Sequence, residues 1–291
     1  MKTNKEKVEI ILQYIEDHLD ENLSLDMLAQ MVGYSKYHLH RMLSELLEMP
    51  VHLYIQKRRL SNAAYELVHN KKEIAQIALT AGYSSQQAFH TAFKKSYKKT
   101  PDAYRQQQKF YPLILPYDIE KADKENVLHR IANIQIVKNR EFKCIGYTCS
   151  TSLGFFMIGK TWRKMHRHKH LIVNRTNLDY LIGINDYSRY KAEADHLSFD
   201  YYAMAEVLDY NSIPRGMVSK TLPTSDYAVF CLRGKSEESV QPLIEAIYRE
   251  WLLSTDYELN DELQFDFICY GEKQDENKES QIEIWLPVKR H

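Results

Sequence analysis

The chain has 291 residues, of which 44% are apolar, 27% charged and 12% aromatic. This length predicts two domains, and the composition excludes collagen-like, low-complexity and disordered proteins. The formal net charge is zero, but residues 35–110 hold 13 Lys and Arg against 5 Asp and Glu, which fits a nucleic-acid surface or, equally, solvated helix faces.

Nothing in the sequence has the length or order of a targeting segment. The longest apolar runs are a few residues long, and the first ten residues contain no apolar stretch ending in a cleavage site. We therefore expect no membrane span, no secretory signal and a cytoplasmic location. The four cysteines form no CxxC pair, which favours reduced thiols over disulfides or a metal site.

Residues 5–105 are predicted to be helical throughout, since they contain only two prolines and two glycines and their apolar residues recur every three or four positions. A first helix carries the apolar stripe Val8, Ile11, Leu12, Ile15 and Leu19. The next helix covers residues 25–32, with Ser24 or Asp26 as its cap and Gly33 at its end, where a positive φ costs least.

A longer helix then starts at Ser35 and runs to about Leu47, which completes the plan of a helix-turn-helix. The same plan follows again about 50 residues later. The matches are Gly33-Tyr34-Ser35 with Gly82-Tyr83-Ser84 at an offset of 49, and Leu39, Leu43 and Tyr54 with Phe89, Phe93 and Tyr104 at an offset of 50. An internal repeat of this kind predicts two copies of one structural unit.

Helical geometry identifies the polar side chains of each longer helix that face away from its apolar stripe. In the first copy these are Tyr37, His40, Arg41 and Ser44, flanked by Lys36. In the second copy they are Gln87, His90, Thr91 and Lys94, flanked by Gln86. Such amide, imidazole, guanidinium and hydroxyl groups can reach base edges in a major groove, so the pattern favours two DNA-reading helices over an ordinary polar surface.

Between the copies, one helix is predicted over residues 51–69, with the basic run Lys57-Arg58-Arg59 in its middle. About 18 residues span about 27 Å. This spacer could hold two recognition helices about one DNA turn apart on one face of the duplex. We therefore expect a single chain to read two successive major grooves as a monomer.

Three motifs resemble the DNA-binding domain of the AraC/XylS transcription regulators over about residues 5–105. They are Gly33-Tyr34-Ser35-x-x-x-Leu39-x-Arg41, Arg58-Arg59-Leu60, and Ser85-Gln86-Gln87-x-Phe89 followed by Thr100-Pro101-x-x-Tyr104-Arg105. The order of the halves resembles the Rob-type members. The resemblance implies that Tyr37, His40 and Arg41 approach bases in the first half-site and Gln86, Gln87 and His90 in the second. Thr91 stands where many relatives carry arginine.

The resemblance also implies a DNA-binding transcription regulator, an activator that contacts promoter DNA and RNA polymerase, with no cofactor and no enzyme activity. The full set of predicted DNA-binding residues is Lys36, Tyr37, His40, Arg41, Ser44, Arg58, Arg59, Ser85, Gln86, Gln87, His90, Thr91 and Lys94.

A polar stretch with Pro112 and Pro116 separates the halves, so we expect domains over residues 1–108 and 131–291 and a linker over 109–130. Strands are predicted over residues 134–137, 144–150, 201–207, 227–234, 265–270 and 281–288. Helices are predicted near residues 158–170 and 239–253. The fold class is thus an all-α domain of two helix-turn-helix units joined by a long helix, followed by a duplicated α+β domain.

The second half resembles the GyrI-like effector-binding domain, most clearly at Tyr227-Ala228-Val229-Phe230 and at Glu283-Ile284-Trp285-Leu286-Pro287-Val288. The resemblance implies a pocket for a small aromatic or cationic effector, although Ile268 stands where relatives often carry glutamate. The predicted pocket residues are Tyr147, Trp162, Tyr202, Asp266, Tyr270, Glu283 and Trp285. Glu283 and Trp285 share one strand face, and Asp266 and Tyr270 share a face of the neighbouring strand.

Other interpretations of this half stay open. All three tryptophans and 13 of the 21 tyrosines lie beyond residue 110. Aromatic residues in this number can line a ligand pocket, but they are also typical of a hydrophobic core. His166 and His170 lie one helical turn apart, as metal ligands do, but the adjacent Arg and Lys favour a solvated basic face. Some GyrI-like domains resemble hydrolases with pocket glutamates, so Glu283 leaves open a small-molecule hydrolase, and a drug-sequestering module is the third alternative. No GxSxG, Walker-type, HExxH or GxGxxG motif is present in the sequence.

Overall fold

The computed structural model describes residues 2–119, 127–153, 156–191, 198–235, 240–260 and 262–290. These residues form two compact units. The boundary between the units falls in the sequence between residues 119 and 127. The first unit is helical and the second is built on a β-sheet. In the described part of the chain, every helix is too short or too polar to cross a lipid bilayer.

The first unit is described as seven helices. They are α1 (Asn4–Asp17), α2 (Leu25–Val32), α3 (Lys36–Leu47), α4 (Val51–His69), α5 (Ile74–Thr80), α6 (Gln86–Tyr97) and α7 (Pro101–Gln106). Five of them begin at a hydroxyl side chain that accepts the backbone N–H three residues later, at 3.1 or 3.2 Å: Thr3, Ser24, Ser35, Ser85 and Thr100. Gly33 and Gly82 adopt φ of 72° and 73° in the turns before α3 and α6, as only a residue without a side chain does at little cost.

Helix α4 is the central element of this unit. The predicted stripe of α1 is confirmed as buried, and Glu16 of α1 accepts hydrogen bonds from Tyr54 and Arg58 of α4. Farther along α4, Leu60 and Leu67 pack with side chains of α5, α6 and α7 in a separate apolar core. Helix α4 therefore lies in the chain between the helix pairs α2/α3 and α5/α6.

Residues 107–118 lie along α4, although they include part of the predicted linker. Their bonds to α4 are Leu113 and Ile114 N–H to Ser61 Oγ (2.9 and 3.2 Å), Tyr117 N–H to Tyr54 Oη (3.0 Å) and Arg58 Nη1 to Ile114 O (2.9 Å). Because α4 supplies partners for the backbone of this segment, the segment belongs to the helical unit. Only the later part of the predicted linker lies beyond it.

The second unit contains seven strands and two helical regions among its described residues. The strands are β1 (Asn133–Ser150), β2 (Tyr180–Lys191), β3 (Ser198–Glu206), β4 (Val218–Gly234), β5 (Tyr257–Leu259), β6 (Phe265–Gly271) and β7 (Ser280–Arg290). The helices are α8 (Phe156–His168) and α9 (Gln241–Ala246), which continues through a π-helical turn, Ile247–Trp251, into α10 (Leu252–Ser254). Short 3₁₀ turns cover Val127–Arg130, Thr151–Leu153 and Lys169–Leu171.

The strands pair antiparallel in the order β4-β1-β3-β2-β6-β7-β5, and β4 also pairs with β7. This extra pairing closes six strands into a ring. The rings of Phe142 on β1 and Phe267 on β6 lie 5.1 Å apart although these strands are not neighbours, so the two side chains meet across the interior. Met165 of α8 packs instead with Ile145 and Ala203 on the outer face.

Several strands differ from the prediction: β4 begins at Val218 and not at Tyr227, and β5 was not predicted. The segments predicted at 134–137 and 144–150 form the single strand β1, because a bulge between Val137 and Arg140, with Asn139 at φ 50°, interrupts the apolar alternation without ending the strand. Strand β2 was not predicted. Gly183 and Asn185 are residue types that usually mark turns, and they conceal its pattern.

Candidate DNA interface and effector site

Helix α6 presents an exposed polar face. Gln86, Gln87, Thr91 and Lys94 are exposed, and His90 is half-buried. Phe89 and Phe93 are fully buried and fix the opposite side of the helix in the core. The Thr91 hydroxyl donates to the Gln87 carbonyl at 3.0 Å, while Ser85 caps the helix through its side chain. The free face carries amides followed by lysines, which suits contact with a nucleic acid.

Helix α3 differs from α6 in exposure. Tyr37 and Arg41 are buried, and Arg41 Nη1 donates to Tyr37 Oη at 3.0 Å. His40 and Ser44 are half-buried, and burial lowers the pKa of His40, with smaller effects from His52 and Lys36. The sequence predicted that these side chains are exposed. Helical periodicity gives the direction of a side chain, but it does not show whether other parts of the chain pack over it. Base contact by Tyr37 and Arg41 requires their exposure.

Arg58 and Arg59, which we predicted as DNA contacts, are used inside the helical unit. The Arg58 side chain is 7% exposed and pairs with Glu16, with Nη2 to Oε2 at 2.7 Å. Arg59 donates to the backbone carbonyls of Leu19 and Glu21. This part of the prediction is corrected because protein acceptors already bind both guanidinium groups, which face into the unit.

The register of β6 and β7 divides the predicted effector residues between two faces. Phe267 pairs with Trp285, and Ile268 pairs with Ile284. Because directly paired residues share a face, one set lies inside the ring and the other outside. The inner set is Tyr202, Glu283 and Trp285, and the outer set is Tyr147, Trp162, Asp266 and Tyr270. The prediction that all seven residues line one pocket is therefore wrong.

Trp285 is a core residue of the ring interior. Its indole stacks on Phe267 (centroids 5.3 Å apart, 19° between planes) and meets Phe142 edge-on at 5.3 Å. Glu283 accepts from the Trp285 indole N–H at 3.0 Å and from Gln281 Nε2 at 2.6 Å. With each carboxylate oxygen bound by a neighbouring side chain, nothing in this arrangement favours the hydrolase alternative.

The outer face carries the aromatic residues beside α8. Trp162 is half-buried, donates its indole N–H to Tyr201 Oη at 2.8 Å and meets Tyr270 edge-on at 5.3 Å. A Cβ atom on Gly183 would lie 2.3 Å from Tyr201 Oη and 3.1 Å from the Trp162 ring, so glycine makes room for this pair. Burial, with the negative charge of Asp266, raises the pKa of Tyr270 to about 12.

Charged groups accompany these rings. The Asp266 carboxylate is buried and accepts from Asn185 Nδ2 at 2.7 Å. Lys164 Nζ lies 4.0 Å from the centroid of the Tyr147 ring, whose hydroxyl contacts His168 Nδ1 at 3.2 Å. The outer face therefore combines a carboxylate with partly accessible aromatic rings, which is the chemistry that holds aromatic cations.

Sequence reasoning missed a buried polar group inside the ring. Glu206 is buried, accepts from the Tyr180 hydroxyl and pairs with Arg140. Burial and this bond raise the pKa of Tyr180. The three residues come from three strands, one of them unpredicted, and no motif connects them in the sequence.

The histidine run at the end of α8 lies beside aromatic and basic side chains. His166 stacks on the Trp162 ring at 5.6 Å, and burial followed by the charge of Lys169 lowers its pKa. Across the described residues, no group of three or more His, Cys, Asp or Glu side chains is placed to hold a metal ion.

Replacing Glu272 with glutamine is expected to remove part of the acid sensitivity of the second unit. Burial alone would raise the pKa of Glu272, but bonds from Lys169 and Arg175 (3.0 Å for Arg175) outweigh it and lower that pKa from 4.5. A lowered folded pKa stabilises the fold above the ordinary pKa, and this contribution is lost as the pH falls.

Thermal unfolding measured from about pH 7 to pH 3 checks this expectation. The wild type loses more stability on acidification than Glu272→Gln, while the exposed carboxylate Glu276→Gln serves as the control and follows the wild type. Parallel curves for all three proteins would contradict the assignment.

Comparisons with known proteins follow the division into two units. A family profile described as a helix-turn-helix domain matches residues 28–107, and one described as integron-associated effector binding protein matches residues 135–288. The regulatory protein SoxS of Salmonella typhimurium is 35% identical over 103 residues, which are 35% of this chain and 96% of SoxS. The chain belongs to the AraC family, and its second unit to the integron-associated effector-binding proteins.

Other relatives match one half of this AraC-family protein at a time. The right origin-binding protein of Escherichia coli is 44% identical over 95 residues, so the chain spans 33% of the length of that relative. An integron cassette protein of Vibrio cholerae aligns with 55% of this chain and 97% of its own, at 17% identity and a TM-score of 0.36. The two family profiles and the match to SoxS identify the AraC-family protein as a DNA-binding regulator that carries an effector-binding domain.

Proposed function

We propose that this regulator activates transcription by binding one asymmetric DNA site as a monomer, through α3 and α6, under the control of a small-molecule effector. The observation that carries the proposal is the presence of two unlike helix pairs, α2/α3 and α5/α6, at the two ends of one 19-residue helix. Two different reading helices on one chain match a site with two different halves.

The DNA-binding roles are tested by two substitutions with different expected signatures. Arg41→Ala is expected to cost about 1–3 kcal/mol and to relax base preference at one position, because on DNA binding the Arg41 guanidinium exchanges its bond to Tyr37 Oη for two bonds to a base edge. Lys94→Ala is expected to weaken all sequences alike and to reduce the salt slope by about one, as a phosphate contact does.

Both variants are compared by titrating duplexes with single-base changes at several salt concentrations. Glu45→Ala, on the same helix as Arg41, is the control for a change in α3 itself. If Arg41→Ala and Lys94→Ala weakened every duplex to the same degree with the same salt slope, the assignment of roles would be wrong.

For the effector, we propose the outer face beside α8, with Trp162, Tyr147 and Tyr270 as aromatic walls and Asp266 as the carboxylate. Support comes from the half-buried Trp162 ring and the buried Asp266 side chain on one face. We expect Asp266→Asn to lower affinity for aromatic cations and to spare neutral analogues of the same size. Fluorescence titration checks this, and equal loss for cations and neutral compounds would contradict a charge role.

The activating role and contact with RNA polymerase rest on the resemblance to the AraC/XylS regulators. In vitro transcription from a promoter that carries the selected site is the direct test. Increased transcript yield with the full-length protein supports activation, and a reduced yield identifies a repressor.

A further inference from the structure

Arg59 lies at the junction of the two helix pairs. Its side chain leaves the middle of α4, and its guanidinium donates through Nε to the Leu19 carbonyl at 2.7 Å and through Nη2 to the Glu21 carbonyl. These two carbonyls belong to the connection between α1 and α2. The connection that leads into the first helix pair is thereby bonded to the spacer helix.

The same guanidinium also contacts the turn of the second helix pair. A Cβ atom on Gly82 would lie 2.7 Å from Arg59 Cζ and 3.0 Å from its Nε and Nη2 atoms. Gly82 is therefore required for the close approach as well as for its φ of +73°. Tyr83, the next residue, packs edge-on against Phe89 of α6 at 5.5 Å, so the turn beside Arg59 is continuous with the core of the second DNA-reading helix.

Arg59 is thus one side chain in contact with the connection that leads into the first pair and with the turn inside the second pair. Two of the five N–H groups of the planar guanidinium are bonded to fixed backbone acceptors, and the group lies against a glycine turn. A planar guanidinium that is held by two such hydrogen bonds has little rotational freedom. Burial lowers the pKa of Arg59, which accords with its half-buried position.

We infer that Arg59 is a positioning residue that fixes the angle between the two DNA-reading helices and so sets the separation of half-sites that the chain accepts. The inference rests on the proposed bipartite DNA binding. It assigns no DNA contact to Arg59, in contrast to the role predicted from the basic run in the sequence.

The test uses the full-length protein and a duplex that the wild type selects from a random-sequence library. Derived duplexes carry one base pair inserted or removed between the half-sites, which rotates one half-site by about 34–36° relative to the other, or have one half replaced. The variants are Arg59→Met, which keeps the stem without its donors, and Arg59→Lys, which keeps the charge without the fork. Lys57→Met removes the same charge from the same region of α4 as the matched control.

We expect the wild type and Lys57→Met to bind the original spacing at least about tenfold more tightly than either altered spacing, because simultaneous engagement depends on geometry. Arg59→Met is expected to lose most of this discrimination and to bind each single half-site as the wild type does, with Arg59→Lys between them. A merely structural role would lower the melting temperature without changing the preferred spacing.

Wild-type spacing discrimination in both Arg59 variants would overturn the inference, and should Arg59→Met fail to fold, Arg59→Lys decides. If the wild type enriched no shared sequence at all, the proposed function would fail first and the inference with it. If the wild type bound a bipartite site whose spacing neither variant altered, the inference alone would fail.

Discussion

Glu16→Ala is expected to destabilise the helical unit by about 3–5 kcal/mol, because it leaves the Arg58 guanidinium buried without its counter-charge. Arg58 donates to both Glu16 oxygens, with Nε to Oε1 at 2.9 Å and Nη2 to Oε2 at 2.7 Å. Glu16 also accepts from the Tyr54 hydroxyl at 3.0 Å. One carboxylate thus satisfies two side chains of α4, and its removal affects the contact between α1 and α4 and the segment 107–118 together.

The free energy of unfolding of this unit is measured by native-state hydrogen exchange of the α4 amides. Glu9→Ala removes a carboxylate from the same helix, one that forms only an exposed pair with Lys5 at 3.9 Å, and is expected to cost less than about 1 kcal/mol. Equal protection factors in Glu16→Ala and Glu9→Ala would refute the buried-pair account.

Trp285→Ala is expected to cost about 3–5 kcal/mol in the second unit, as large-to-small changes of buried aromatic residues do. The indole is 9% exposed and fills the ring interior between Phe142, Tyr227 and Phe267. Its removal leaves a cavity and also takes away the N–H donor to Glu283.

Urea unfolding of the second unit, followed by near-ultraviolet circular dichroism of its aromatic residues, measures this loss. Trp285→Phe keeps a ring in the interior and is expected to lose less, and Phe156→Ala, at an exposed aromatic residue, is expected to change stability by about 0.5 kcal/mol or less. If Trp285→Ala were as stable as Phe156→Ala, the indole would belong to an open pocket and not to the core.

The helical unit follows closely from local rules. Ser24 and Ser35 cap the helices that their positions predict, and Gly33 ends α2 in the left-handed conformation. These features depend on residues within a few positions of one another, so the sequence carries them directly. Arg58 and Arg59 show the boundary of such reasoning, since their acceptors lie about 40 residues away on α1 and beyond it.

The arrangement of the sheet is harder to predict from the sequence. Alternation correctly places Glu283 with Trp285 and Asp266 with Tyr270, but a one-residue choice of register decides whether the two pairs share a face. Pairing of Phe267 with Trp285 separates them. Ile268, at the position where glutamate was expected, lies on the same outer face as Asp266 and is buried against Gly183 and Ile284.

The hydroxyl-radical footprint of the full-length protein on its selected duplex, with the protein–DNA stoichiometry determined on the same complex, tests the central claim most directly. We predict two protected half-sites of different sequence, about one helical turn apart on one face of the duplex, bound by a single chain. A palindromic footprint that requires two chains, or protection of one half-site alone, would contradict bipartite reading by α3 and α6.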